Sequence, residues 1–220
     1  VEQALSKLCK ASVSITGSGR TDTGVHCRSQ YFHADINWTS EISDLLQRLN
    51  SFLPRDISIK SIRPVKTDAN ARFDAKTRTY NYIITRKKDP LLQGRALYFF
   101  KPLEVEAMQR ATRHLIGNHD FESFSKVKTD VNNFNCIIRE ARWEETGDLL
   151  IFKITANRFL RGMVRAIVGT LLDVGTGKIT AADFKEIISG KDRKRAGMNV
   201  APEGLYLMNV SYPASVFKKI

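Results

Sequence analysis

The sequence predicts an α+β protein built in two similar halves, and three observations carry this. Stretches that alternate with period two are interleaved with stretches of helical spacing, and a strand-helix-strand order recurs loosely in the second half. Two alternating segments, 136–145 and 149–156, flank Thr146-Gly147-Asp148 and read as an antiparallel hairpin. The chain has 220 residues, 42% of them hydrophobic, enough to bury a core and to exclude a disordered protein.

Val1, Leu5 and Leu8 follow helical spacing with no cap before them, so the chain opens inside an amphipathic helix and a further segment is expected ahead of it. Ser12 to Thr16 and Cys27 to Ile36 alternate as strands. Thr39-Ser40 can cap a helix with Ile42, Leu45, Leu46 and Leu49 on one face. Pro54-Arg55-Asp56 then turns the chain into a strand from Ile57 to about Val65. The aperiodic Arg72-Phe73-Asp74-Ala75 marks a domain boundary, giving an N-terminal domain 1–75 and a C-terminal domain 76–220.

The second half begins with a strand from Thr77 to Arg86, with Tyr80, Tyr82 and Ile84 on one face. A short strand near Ala96 to Lys101 precedes a helix from Glu104 to Ile116. That helix turns Val105, Met108, Leu115 and Ile116 inward and stops at Gly117. Residues 121–128 read as a loop anchored by Phe121 and Phe124. After the hairpin, Phe159 to Val174 forms a helix that is apolar on nearly every side, with Arg165 inside it. A buried guanidinium costs several kcal/mol unless a carboxylate or phosphate meets it, and Asp22 is the favoured partner. Thr180 and Asp183 cap a short helix ended by Gly190, Lys191 to Arg195 form a solvated basic loop, and a strand from Leu205 to Tyr212 closes the chain.

Charge narrows the function. Thirty-five Lys and Arg against 23 Asp and Glu leave +12, spread along the chain: Arg86-Lys87-Lys88, Lys126, Lys128, Arg158, Arg161 and 191–195. Such an imbalance points to a broad surface for a polyanion, with nucleic acid the favoured partner. Cys9, Cys27 and Cys136 are odd in number and widely spaced, which suits a reducing cytoplasm and offers neither a disulfide framework nor a metal site. No apolar run reaches membrane-spanning length.

The residues with most chemistry lie in Gly17-Ser18-Gly19-Arg20-Thr21-Asp22-Thr23-Gly24-Val25-His26. Three glycines allow close approach to another molecule, and one guanidinium, one carboxylate and two hydroxyls exceed what a turn requires. The loop can hold Arg20 and Asp22 at a site, or an Arg-Asp pair can simply tie down a long loop.

Residues 19–26, Gly-Arg-Thr-Asp-Thr-Gly-Val-His, resemble the signature loop of the TruA family of tRNA pseudouridine synthases, GRTDAGVH. Three further stretches agree in order: Ala71-Arg72-Phe73 with Arg78-Thr79-Tyr80-Asn81-Tyr82, the run Asn157 to Arg165, and Glu203-Gly204-Leu205-Tyr206-Leu207. Thr23 replaces the family's alanine, and the family's first strand and Tyr-Gly-Trp-Gln-type segment precede the point where this chain starts. The resemblance implies two similar domains of mainly antiparallel sheet with helices on one face and a catalytic cleft between them. It implies conversion of uridine to pseudouridine in the anticodon arm of tRNA, by a homodimer that uses no cofactor and no metal.

By the same resemblance Asp22 is the catalytic residue, and Tyr80, Arg20 and Arg165 are its substrate-binding companions. Tyr80 would pack on the target base, and Arg20 would keep the nucleotide extruded. Arg165 would favour an ionised Asp22. His26 is expected to brace the loop rather than to do chemistry. Two other classes compete: a non-catalytic RNA-binding protein on the same scaffold, and a nucleotide-phosphate enzyme using the loop as an anion nest. The second lacks the Gly-Lys-Ser/Thr ending of a P-loop.

Overall fold

The computed structural model describes residues 1–126 and 133–218. In chain order its elements are α1 (Glu2–Cys9), β1 (Thr16–Gly17), β2 (His26–Cys27), β3 (Phe32–His33), α2 (Ile42–Phe52), β4 (Thr77–Thr85), β5 (Leu97–Tyr98), α3 (Val105–Thr112), β6 (Gly117–Asp120), β7 (Asn135–Thr146), β8 (Leu149–Ala156), α4 (Met163–Gly175), α5 (Ala181–Gly190) and β9 (Leu205–Ser211), joined in places by single 3-10 turns. They form two compact units. The first comprises Val1–Arg20, Tyr31–Ala75 and Tyr212–Ile220; the second comprises Thr21–Gln30 and Lys76–Ser211. The division departs from a single cut at residue 75: Thr21–Gln30, which holds the latter part of the signature loop, groups with the second unit, and the chain's last segment groups with the first.

In the first unit, Ala4 and Leu5 of α1 and Leu45 and Leu49 of α2 bury against Val13. Leu45 and Leu49, four apart, share one face of α2, and in α1 the partly buried Leu8 follows Leu5 at a spacing of three. α2 begins at Ile42 with Glu41 in the cap position and no side-chain cap bond, so Thr39-Ser40 do not serve as the cap, and Ile42 lies 41% exposed. β1 and β3 pair antiparallel over two residues each, far shorter than the strands expected there. The strand expected from Ile57 to Val65 joins no ladder, apart from a bridge between Val65 and Phe217. The reason is visible at Ile59, whose backbone N–H donates to Asn50 Oδ1 at 2.7 Å while its carbonyl accepts from Asn50 Nδ2 at 2.8 Å. A side-chain amide satisfies both groups that a neighbouring strand would have used.

The second unit is a sheet in the order β2-β9-β4-β8-β7-β6, with β5 beside the end of β4. β2–β9 and β4–β5 are parallel; the other pairs are antiparallel. Along β8 every second residue is buried, and Leu150, Phe152, Ile154 and Ala156 share one core with Met108, Ala111, Ile167, Leu171, Phe184 and Ile187 from α3, α4 and α5. Helices thus cover one face, the α+β arrangement the sequence predicts. Tyr82 and Ile84 point into that core from β4, and Phe121 and Phe124 are fully buried anchors.

The hairpin forms with Gly147 at φ +59°, and Thr180 and Asp183 make both bonds of a capping box. Several boundaries differ from expectation. α3 ends at Thr112 in a 3-10 turn, and Ile116 points outward at 43% exposure. Gly117 opens strand β6 instead of merely stopping a helix. α4 starts at Met163 because Gly162, at φ +72°, breaks the chain direction, so 159–162 are not helical. Gly190 is the last residue of α5, and Lys191 takes the left-handed cap. Lys128 lies outside the described residues.

Candidate active site

The four residues singled out from the sequence fall in both units. Arg20 belongs to the first, where its side chain is exposed. Asp22, Tyr80 and Arg165 belong to the second.

Asp22 sits at the start of a turn closed by a hydrogen bond from the Val25 amide to its carbonyl, 3.1 Å. Gly24 completes the turn at φ +81°, and a Cβ there would meet Pro202 Cγ at 3.0 Å, so both the backbone and the space require glycine. The chain then enters β2, where His26 and Cys27 pair with Tyr206 and Leu207. His26 stacks on Tyr206 with ring centroids 4.6 Å apart, and its Nε2 lies 2.8 Å from the Gly94 carbonyl. The imidazole braces the loop's exit, and Asp22 is held at one end of a fixed turn.

Arg165 reaches Asp22 from the first turn of α4. Its neighbours Met163, Val164, Ala166 and Ile167 are buried, and its own side chain is 18% exposed. Nη1 donates to Asp22 Oδ2 at 3.3 Å and Nε donates to the Val200 carbonyl at 2.7 Å. The Val200 amide returns a bond to the Arg165 carbonyl at 3.3 Å. Arg161 stands further off, with Nε 4.0 Å from Asp22 Oδ1. A guanidinium that would be costly among apolar neighbours is matched by a carboxylate and a carbonyl. The carboxylate is left 31% exposed, open to a reactant.

Tyr80, on β4, is half-buried and meets Phe159 edge to face at 5.2 Å. Burial pushes its phenol up to about 12, with the charges of Cys27 and Asp22 adding to the effect and Arg78 opposing it. The ring is therefore neutral across ordinary pH. Tyr82, two residues on, is fully buried and donates to the Ala201 carbonyl at 2.7 Å, a packing role.

Asp22 opens on a cleft of about 610 Å³ whose lining includes Lys126, Arg161, Arg165 and Arg193 with Thr23 and Asn199. Four cationic residues and one carboxylate border this cleft, and two of the cations, Arg165 and Arg161, approach the carboxylate directly. An anionic ligand is favoured there, and water can reach the carboxylate. Two lining residues escaped the sequence reading. Arg193 lies in a run taken as solvated, yet it is half-buried and donates to three acceptors. Asn199 sits in an aperiodic stretch that gives no local signal. No group of three His, Cys, Asp or Glu among the described residues is placed to hold a metal ion.

A family model described as tRNA pseudouridine synthase matches residues 111–213. The tRNA pseudouridine synthase A of Porphyromonas gingivalis is 49% identical over 99% of this chain and 88% of its own length. The chain belongs to the tRNA pseudouridine synthase A family. Membership extends beyond that relative: the family member from Parabacteroides distasonis is 46% identical over 99% of this chain and 86% of its own. The one from Bacillus licheniformis is 40% identical over 96% and 87%. These matches run across both units, so the family relation covers the signature loop as well as the large sheet.

Proposed function

We propose that this protein converts uridine to pseudouridine in the anticodon stem-loop of tRNA, with Asp22 as its catalytic carboxylate. The observation that carries the reading is the half-exposed Asp22 carboxylate, 3.3 Å from Arg165 Nη1 and facing a cleft rich in cations. The reaction breaks the N1–C1′ glycosidic bond, turns the uracil and joins C5 to C1′; the proton on C5 is lost and N1 gains one. Substrate and product are isomers. A hydrolase needs one carboxylate to protonate the leaving group and another to activate water or attack the sugar. Returning the same base to the same sugar needs one ionised carboxylate and a site that retains the base. Arg165 holds the Asp22 carboxylate through a 3.3 Å ion pair, whether that group attacks C1′ or removes a proton at C2′. Tyr80 offers a neutral ring for the turning uracil, Arg20 holds the nucleotide out of the stem, and Lys126 and Arg161 at the cleft meet backbone phosphates. The protein acts as a homodimer in the cytoplasm. The sequence resemblance supports the dimer, and three widely spaced cysteines suit the compartment.

Release of tritium from tRNA carrying 5-³H-uridine tests the reading. Wild type releases it, and Asp22→Asn loses about 10³-fold or more of the rate while still binding tRNA. A wild-type protein that binds tRNA and releases nothing would leave the non-catalytic RNA-binding reading in its place. Sedimentation with and without tRNA checks the dimer.

A further inference from the structure

Arg193 stands out from its surroundings. Lys191, Asp192, Lys194 and Arg195 are exposed, whereas Arg193 is half-buried and turned back on its own loop. Its Nη1 donates to the carbonyls of Ala196 (3.2 Å) and Gly197 (3.0 Å), and its Nη2 donates to Asn199 Oδ1 (3.0 Å). One planar fork thus ties three points of a four-residue stretch from two separate nitrogens, a geometry that the single nitrogen of a lysine does not reproduce.

The tied stretch is seated on α4 by close backbone approach. The Gly197 amide donates to Thr170 Oγ1 at 2.8 Å, and a Cβ on Gly197 would come within 2.8 Å of the backbone of Gly169 and Thr170. A Cβ on Gly169 would overlap the Met198 carbonyl oxygen. At the other end Asn199 Nδ2 lies 3.0 Å from where a Cβ on Gly162 would stand, beside the turn that starts α4. The next residue is Val200, whose carbonyl takes Arg165 Nε and whose amide bonds the Arg165 carbonyl. The fork, the glycine crossing and Val200 form one connected path that ends on the side chain meeting Asp22.

We propose that Arg193 is a positioning residue: by clamping 196–199 it holds the Val200 carbonyl against Arg165 and so fixes the orientation of the Asp22–Arg165 pair. The inference rests on the reading of Asp22 as the catalytic carboxylate. It assigns Arg193 a role through the loop, although its guanidinium also borders the cleft, where a direct grip on an RNA phosphate is the competing role.

Charge and geometry separate the two roles. Arg193→Lys keeps the cation and loses the fork; Arg193→Met loses both. Single-turnover tritium release at saturating enzyme reads the chemical step, and filter binding at two salt concentrations reads the grip on tRNA. With a clamp, both variants lose rate by a similar factor, about a hundredfold for an ångström-scale misplacement. Their tRNA affinity stays within about twofold of wild type, with an unchanged salt slope. The Val200 amide also exchanges its hydrogen faster in both. A lysine variant with the wild-type rate overturns the proposal. So does a loss confined to affinity with a shallower salt slope, which would make Arg193 a phosphate contact. Should Arg193→Met fail to fold, the lysine variant alone decides between these outcomes. Wild type, run alongside, reports separately on the synthase reading.

Discussion

Arg20 and Asp22 are two residues apart, yet they group with cores of very different size. The first unit has two-residue strands and a buried cluster of five residues, Ala4, Leu5, Val13, Leu45 and Leu49. The second has strands of eight to twelve residues at its centre and helices packed along one face. Asp22 takes its ion pair from α4, and its loop leaves through β2 beside β9, both parts of the larger core. Proximity in sequence does not decide which core anchors a residue. The carboxylate proposed to do chemistry is fixed by the more extensively packed unit, where orientation is held best.

The contrast can be broken by experiment. Phe152, fully buried at the centre of the large core, should cost about 3–5 kcal/mol when replaced by alanine. Because Asp22, Tyr80 and Arg165 all group with that core, tritium release in Phe152→Ala should fail at the temperature where the sheet melts. Leu49→Ala, in the small core, should cost about 2–5 kcal/mol and act locally. Hydrogen exchange should then accelerate in α2 while amides of β7 and β8 keep their protection. Equal acceleration in both would mean that the two units open as one.

The smallest effect concerns pH. Burial chiefly raises the Tyr80 phenol from 10.0 to about 12, so the folded protein holds that proton more tightly than the unfolded chain. The associated stability is fully present below pH 10 and is lost as pH rises from there through about 12. Tyr82 and Cys136 are raised by burial too and contribute in the same sense. Urea denaturation between about pH 9 and about pH 11 should therefore show falling stability, with a gentler fall in Tyr80→Phe. An identical slope in the variant would mean that the phenol is freely solvated.

Much of this could be read from the sequence where local chemistry decides. Gly147 between two alternating runs specified the hairpin, Thr180 with Asp183 specified a cap, and a lone arginine among apolar residues called for an anionic partner, Asp22 being the favoured one. Reading failed where the partner is distant in the chain. Asn50 satisfying Ile59 leaves no periodic mark, and neither does Phe217 bridging Val65. A basic run containing Arg193 looks the same whether its cations face water or its own backbone. The role of Gly162 was missed because helical periodicity continues through a residue whose φ is positive.

The crossing of Gly169 with the loop above it sets an unusual rule for substitution. Met198 is 86% exposed, so its side chain contributes little and a saturation library should accept nearly any residue there. Directly beneath, Gly169 has no room even for a methyl group, since the Met198 carbonyl occupies that space. Alanine at 169 should lift the loop from the helix and lower turnover more than any replacement at 198. In a deep mutational profile the two positions should be opposites, one open to drift and one closed to it, although they touch. Which residues this protein can vary is set there by the path of the backbone, and solvent exposure alone would give the wrong map.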